Sequence, residues 1–377
     1  MQPNHLRANT CQHLPQLLLF LAIILASPFA AHAQNNDVTD KYAGGKKLIT
    51  GLSKILSPNG VQENFEATLG GTKQWVFVRG QDRNNPVILF VHGGPASPMA
   101  PVAWTWQRPL EEYFTMVQYD QRASGKSFLA NDTTNLGATL HIDRYVDDCI
   151  ELAEQIRQKY HKKKLVLMGH SWGTIIAMRA ALKRPDLFYV YVGTGQNINT
   201  VDNERVSFEF GLKEAMRRKD TVAIRELQSI APYPGNQPIT RERIIIARKW
   251  PQEYGGLAAY RPVPAYFFNA PLMSPEYDKK DVDAIDQGNI FTLGRVMDEF
   301  LAVDFKHVKE FPIPVLMFMG RHDYTTPSEP TDAWLKKVKA PYKKGVWFEN
   351  SSHLMMMEEP GKFLLTLVQD VRPLALK

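Results

Sequence analysis

The chemistry legible in this chain begins at Gly169-His170-Ser171-Trp172-Gly173, a Gly-x-Ser-x-Gly pentapeptide. Small residues on both sides of Ser171 suit a sharp strand-to-helix turn that exposes the hydroxyl in a strained conformation. An apolar run, Leu165 to Met168, precedes it, and a helix-compatible stretch, Thr174 to Lys183, follows. A serine attacks an acyl carbon only when a base takes its proton and an acid orients that base. With the serine first in the chain, an Asp and then a His in loops after later strands would complete the set. Asp323 in GRHDYTTP and His353 in ENSSHLMMMEEP meet that order. Asp298 and Asp304 precede the relevant strand, and His322 is not beyond the last one, so these rivals rank lower.

The loop His92-Gly93-Gly94-Pro95 supplies the other half of a site. Charge developing on a substrate oxygen needs backbone N–H donors, and a glycine pair lets the backbone approach without side-chain collision. One donor is assigned to Gly94, with Gly93 the alternative, and the second to Trp172. His92 is read as bracing this loop. Asp120-Gln121-Arg122-Ala123-Ser124-Gly125-Lys126-Ser127 lacks the spacing of a phosphate loop. Asp120 and Arg122 are read as knitting loops beneath the site.

The elements that must position these residues follow from hydrophobic patterning. Phe65 to Leu69 and Val76 to Val78 flank Gly70-Gly71 as a hairpin. Val87–Val91, Thr115–Arg122, Phe188–Val192, Pro314–Gly320 and Gly345–Asn350 read as strands. Ile142 to Tyr160 has helical periodicity, with Tyr145, Cys149, Leu152 and Ile156 on one side, and Phe363 to Val371 closes the chain as a helix. Continuous apolar strands alternating with helices predict an α/β fold with a mostly parallel sheet covered on both faces. Residues 197–305 break the rhythm. Helix-prone stretches (Glu204 to Arg218, Thr240 to Lys249) alternate there with Pro-, Tyr- and Gly-rich segments, which predicts an inserted helical cap. The expected division is a signal peptide at 1–33, a first core part at 34–196, the cap at 197–305 and a second core part at 306–377.

The start of the chain has basic residues, an apolar run from Leu17 to Leu25, and Ala31-His32-Ala33 before Gln34. This pattern predicts a cleaved signal peptide and a periplasmic or extracellular product, with an uncleaved anchor as the alternative. Cleavage would leave roughly 340 residues, enough for one large core and an insertion. Cys149 would then stand alone, without a disulfide partner, and is read as a buried core residue. The formal charge is +6, with basic and acidic residues mixed and no aromatic-interleaved basic stripe, so nucleic acid is excluded as a partner. No cofactor or metal is expected, and no stable membrane span after signal cleavage. The oligomeric state is left open.

Together, HGGP, DQRASGKS and GHSWGT resemble the α/β-hydrolase fold and, within it, the prolyl aminopeptidase (proline iminopeptidase)-like branch. The resemblance spans roughly 61–196 and 311–374. It implies a Ser171–His353–Asp323 triad, an acyl-enzyme mechanism, a helical cap, and an exported aminopeptidase acting on small peptides. An esterase or lactonase acting on small apolar esters is the alternative, with Tyr254, Tyr260, Tyr266, Phe267 and Phe268 as an aromatic acyl pocket. The branch holds the substrate's free amine with cap glutamates, for which Glu204 and Glu209 are the candidates. The chain departs from the branch at Ala123, where DQRGSG is common, and at His170, where GGSWG is common.

Overall fold

A computed structural model describes residues 40–376 apart from Val263. The expected signal segment, with Cys11, lies outside the described residues. Eight strands form one sheet: β1 (Val61–Leu69), β2 (Thr72–Gly80), β3 (Val87–Val91), β4 (Thr115–Tyr119), β5 (Leu165–His170), β6 (Phe188–Thr194), β7 (Val315–Gly320) and β8 (Lys343–Phe348). Their spatial order is β1-β2-β4-β3-β5-β6-β7-β8. The hairpin β1–β2 turns at Gly70 and Gly71, both at positive φ (52° and 76°), and pairs antiparallel to β4. From β4 to β8 every pairing is parallel.

Each central strand is buried on both faces, which is why it reads as a continuous apolar run. Leu89, Leu167 and Met317 face one core. On that side pack helices α1 (Ile142–Lys159), α2 (Trp172–Lys183) and, later in the chain, Trp334. Phe90, Met168 and Phe318 face the other core, closed by Phe363, Leu367 and Val371 from the C-terminal helical segment. Tyr145, Cys149, Leu152 and Ile156 are all buried, as their spacing predicts. β8 is an edge strand, and its exposed Lys343, Lys344 and Gly345 blunt that edge against further pairing.

Between β6 and β7 the described residues hold helices and turns without a strand of the sheet. They include α3 (Thr200–Arg218), α4 (Arg241–Pro251) and α5 (Lys279–Leu301). Each begins at a side-chain cap: Asn199, Thr240 and Asp278. The 23-residue α5 was not anticipated from the sequence. An isolated antiparallel bridge joins Asn199 to Asp304, so the excursion leaves and rejoins the sheet at one place. α5 crosses the core closely: a methyl group at Gly288 would come within 2.1 Å of the Ala123 carbonyl oxygen.

Candidate active site

β5 lies between β3 and β6, and Ser171 follows its last residue. Ser171 has φ 55° and ψ −125°, a strained conformation for a non-glycine residue, and α2 starts at the next position. The surrounding glycines are required by contact. A methyl group at Gly173 would sit 2.0 Å from the Val91 carbonyl oxygen, and one at Gly169 would sit 2.8 Å from that of Gly173. The serine turn is thus pressed against the end of β3, where the other loop begins.

In that loop a methyl group at Gly93 would reach within 2.9 Å of Ser171 Cβ. Gly94 has φ 117°, and a side chain there would strike the Ala96 and Ser97 amides. His92 braces the loop as expected. Its Nδ1–H donates to the Gly93 carbonyl (2.9 Å), and its Nε2 accepts from the Gln121 amide (3.0 Å). Burial holds this ring neutral, its pKa lowered to about 4. Gln121 returns a bond to the His92 carbonyl (2.7 Å) and accepts from the Trp172 indole (3.2 Å), tying the two backbone-donor candidates together. Among the described residues, no protein acceptor is seen for the N–H of Gly94 or Trp172.

Asp323 and His353 come from loops after β7 and β8. His353 Nδ1–H donates to Asp323 Oδ2 at 2.9 Å, and both residues are buried. Asp323 also accepts from the amides of Thr325 (3.0 Å) and Thr326 (2.8 Å) and from the Thr326 hydroxyl (3.2 Å). This fixes the tautomer and leaves His353 Nε2 as the basic nitrogen. Ser171 and His353 line the same cleft. No hydrogen bond joins their side chains, and such bonds often tighten only around substrate.

His170 packs beside His353, with ring centroids 4.6 Å apart, and donates from Nε2 to the His353 carbonyl at 3.0 Å. Burial, followed by the neighbouring His353, pushes its pKa down to about 3. It therefore stays neutral beside His353.

The DQRASGKS loop does structural work. Arg122 is fully buried and grips Asp148 through two bonds of 2.9 Å, with further bonds to Thr139 Oγ1 and the Leu69 carbonyl. Asp120 accepts from the Lys126 amide (2.8 Å) and the Tyr277 hydroxyl (2.5 Å). Ala123 has φ 59°, which explains why glycine is common at this position in the branch it resembles.

The glutamates expected to hold an amine are elsewhere. Glu209 is on the surface, paired with Arg205, because its face of α3 points to solvent. Glu204 is buried, but it is consumed by Arg248 of α4 and by the Tyr233 hydroxyl (2.6 Å). Neither lines the cleft. Of the five aromatics expected to form an acyl pocket, only Phe267 lines it.

The sequence reading missed Arg248, Gln252, Leu257 and Thr325, which do line it. The signal for part of this was Tyr254-Gly255-Gly256. Gly255 has φ 94°, and the corner it makes lets the Gly256 carbonyl accept from the Tyr324 and Thr325 amides (3.1 and 3.0 Å). The Leu257 carbonyl accepts the His353 amide (3.1 Å). One short stretch of the excursion therefore pins both the Asp323 and His353 loops.

Comparison with known proteins agrees with this architecture. The alpha/beta hydrolase family matches residues 88–365. Probable aminopeptidase YbaC of Bacillus subtilis is 31% identical over 309 residues, covering 81% of this chain and 95% of that protein. A proline iminopeptidase of Heyndrickxia coagulans is 25% identical over 312 residues, covering 81% of this chain and 96% of its own. Among solved structures, a proline iminopeptidase of Mycobacterium smegmatis superposes with a TM-score of 0.57 at 17% identity, covering 83% of this chain and 99% of that one. The chain is a hydrolase and belongs to the alpha/beta hydrolase family.

Proposed function

We propose that this protein is a serine hydrolase working through an acyl-enzyme, and that it removes N-terminal residues from short peptides. The observation that carries the mechanism is the shared cleft: strained Ser171 and His353, the latter held by Asp323 at 2.9 Å. Ser171 Oγ attacks the substrate carbonyl carbon while its proton passes to His353 Nε2. Buried Asp323 stabilises the imidazolium that forms. The N–H groups of Trp172 and Gly94 (Gly93 the alternative) receive the oxyanion, each worth roughly 2.7–4 kcal/mol in the transition state. His353 then protonates the leaving amine as the C–N bond breaks. Water, deprotonated by His353, releases the acyl group and restores Ser171.

The peptidase half rests on the relatives named as a probable aminopeptidase and as proline iminopeptidases. A second reading, hydrolysis of small esters or lactones, is favoured by one feature. No carboxylate stands among the residues lining the cleft to receive a free ammonium. Turnover of prolyl and other aminoacyl 4-nitroanilides by the purified protein, beside matched 4-nitrophenyl esters, separates the two. The peptidase reading expects anilide cleavage that requires a free amine. Ester cleavage with inert anilides gives the second reading.

We further propose that residues 197–305 form a cap over the site and that the enzyme acts after export. The leader-like pattern ending at Ala33 supports export. N-terminal sequencing of the protein from fractionated cells should return Gln34, and an intact Met1 in the cytoplasm would reject it.

A further inference from the structure

The cleft beside Ser171 has one permanently charged side chain among its lining residues, and it is a cation. Arg248 of α4 is mostly buried and lines the cleft, as does Gln252 one turn later. Both its Nε (2.8 Å) and its Nη2 bond the same oxygen, Glu204 Oε1. The second Glu204 oxygen takes the Tyr233 hydroxyl. A guanidinium has five N–H donors in a rigid fork, and Glu204 uses two of them. Nη1 has no protein acceptor among the described residues. The ring of Phe300, 5.8 Å from the guanidinium carbon, backs it from another side. Arg248 is thus held by a buried carboxylate with part of its fork unfilled.

This arrangement inverts the amine-binding expectation. Glu204 orients Arg248 and is unavailable to an ammonium. We infer that Arg248, with Gln252, is a specificity-determining anchor for a carboxylate on the substrate. The acceptor would be a planar monoanion reached by the same fork geometry that binds carboxylates elsewhere. A dianion fits less well, because Glu204 already balances the guanidinium's charge. The carboxylate has two possible origins in the chemistry of acyl transfer. It is either the C-terminus of a very short peptide, on the leaving side, or an acidic group on the acyl side.

The inference rests on the Ser171 acyl-enzyme reading, and its test keeps the two apart. On the leaving side, alanyl-alanine is compared with alanyl-alaninamide. On the acyl side, the mono-4-nitrophenyl ester of glutaric acid is compared with 4-nitrophenyl pentanoate. In the wild type the acid of at least one pair should be preferred roughly tenfold or more in kcat/KM, mainly through KM, a difference of about 1.4 kcal/mol. The pair that shows the preference identifies the side. In the double variant Arg248→Gln/Glu204→Gln, which leaves no buried charge unpaired, the ratio should collapse towards one. Arg248→Lys should restore part of it.

Protection of Ser171 from a fluorophosphonate by the acid, and not by its neutral partner, gives the same comparison without turnover. Ratios near one in both wild-type pairs, without selective protection, overturn the inference, as does a preference that survives in the double variant. Normal fluorophosphonate labelling in either case leaves the Ser171 reading standing.

Discussion

Two arginine–carboxylate pairs are buried on either side of the molecule's chemistry, one in the core and one at the cleft, and they differ in how much of the guanidinium is satisfied. Arg122, on the core side, spends its donors on Asp148, Thr139 and the Leu69 carbonyl. Arg248, on the side of the excursion, hydrogen-bonds only Glu204 among the described residues. A buried ion pair contributes little net stability, because desolvation offsets its attraction, but breaking one by removing a single partner is costly. The saturated pair is therefore scaffold, fixing β1, α1 and the DQRASGKS loop together. The unsaturated pair keeps donors free at the lining of a cleft, where a ligand can complete it.

The largest effect expected lies between the two pairs, in the apparatus they frame. Under the proposed mechanism, Asp323→Asn preserves shape but removes the charge that would support a His353 imidazolium. The expected loss is roughly ten-thousand-fold in kcat with little change in thermal unfolding. A kcat within tenfold of wild type would detach Asp323 from catalysis.

Arg122→Met addresses the scaffold pair. It removes the fully buried partner of the Asp148 carboxylate and leaves it with Gln74 and the part-exposed Arg144, so the expected cost is at the low end for a broken buried pair, about 3 kcal/mol by denaturant titration. The double change at Arg248 and Glu204 should cost about 1 kcal/mol or less, since both charges leave together. Equal losses in the two experiments would erase the distinction between scaffold and anchor.

Acidity tests the neutral histidines around the His92–Pro95 loop. Unfolded imidazoles take protons below about pH 6.5, whereas folded His92 and His170 do so only near 4 and 3. The unfolded chain then binds more protons, so stability falls as pH drops from about 6.5 towards 4. Asp120 opposes this trend. Burial raises its pKa to about 7, so the folded state holds a proton that the unfolded chain releases, and stability falls as pH rises through that window. In Asp120→Asn the loss of Tm on acidification from pH 6.5 to 4.5 should steepen. An unchanged slope would contradict the assignment.

The smallest effect is expected at Thr326, whose hydroxyl touches both Asp323 Oδ2 and His353 Nδ1 at 3.2 Å. Thr326→Val should lower kcat about threefold to tenfold with KM held, since a group that orients the pair has been removed. A change in KM alone would place Thr326 in binding instead.

The core and its three chemical loops were legible because their signals are local. Apolar runs mark the buried strands, glycines mark the places where Ser171 and Gly93 approach other backbone, and chain order points to Asp323 and His353. The lining contributed between β6 and β7 was not legible. Arg248 reads as one basic residue among several in RERIIIARKW, and nothing in that run says that Glu204, 44 residues earlier, will orient it. The expectation for Glu204 failed because residue type does not reveal whether a buried carboxylate is already partnered. Gly255 and Gly256 were visible as glycines, but their anchoring of two distant loops arises only when the excursion folds back.

The central claim is that Ser171 is the nucleophile served by His353 and Asp323. Fluorophosphonate labelling of the purified full chain, read by peptide mass spectrometry, tests it most directly. A single adduct on Ser171 is expected, absent in Ser171→Ala and formed far more slowly in His353→Gln. An unlabelled wild type, or labelling that persists at the wild-type rate in either variant, would contradict it.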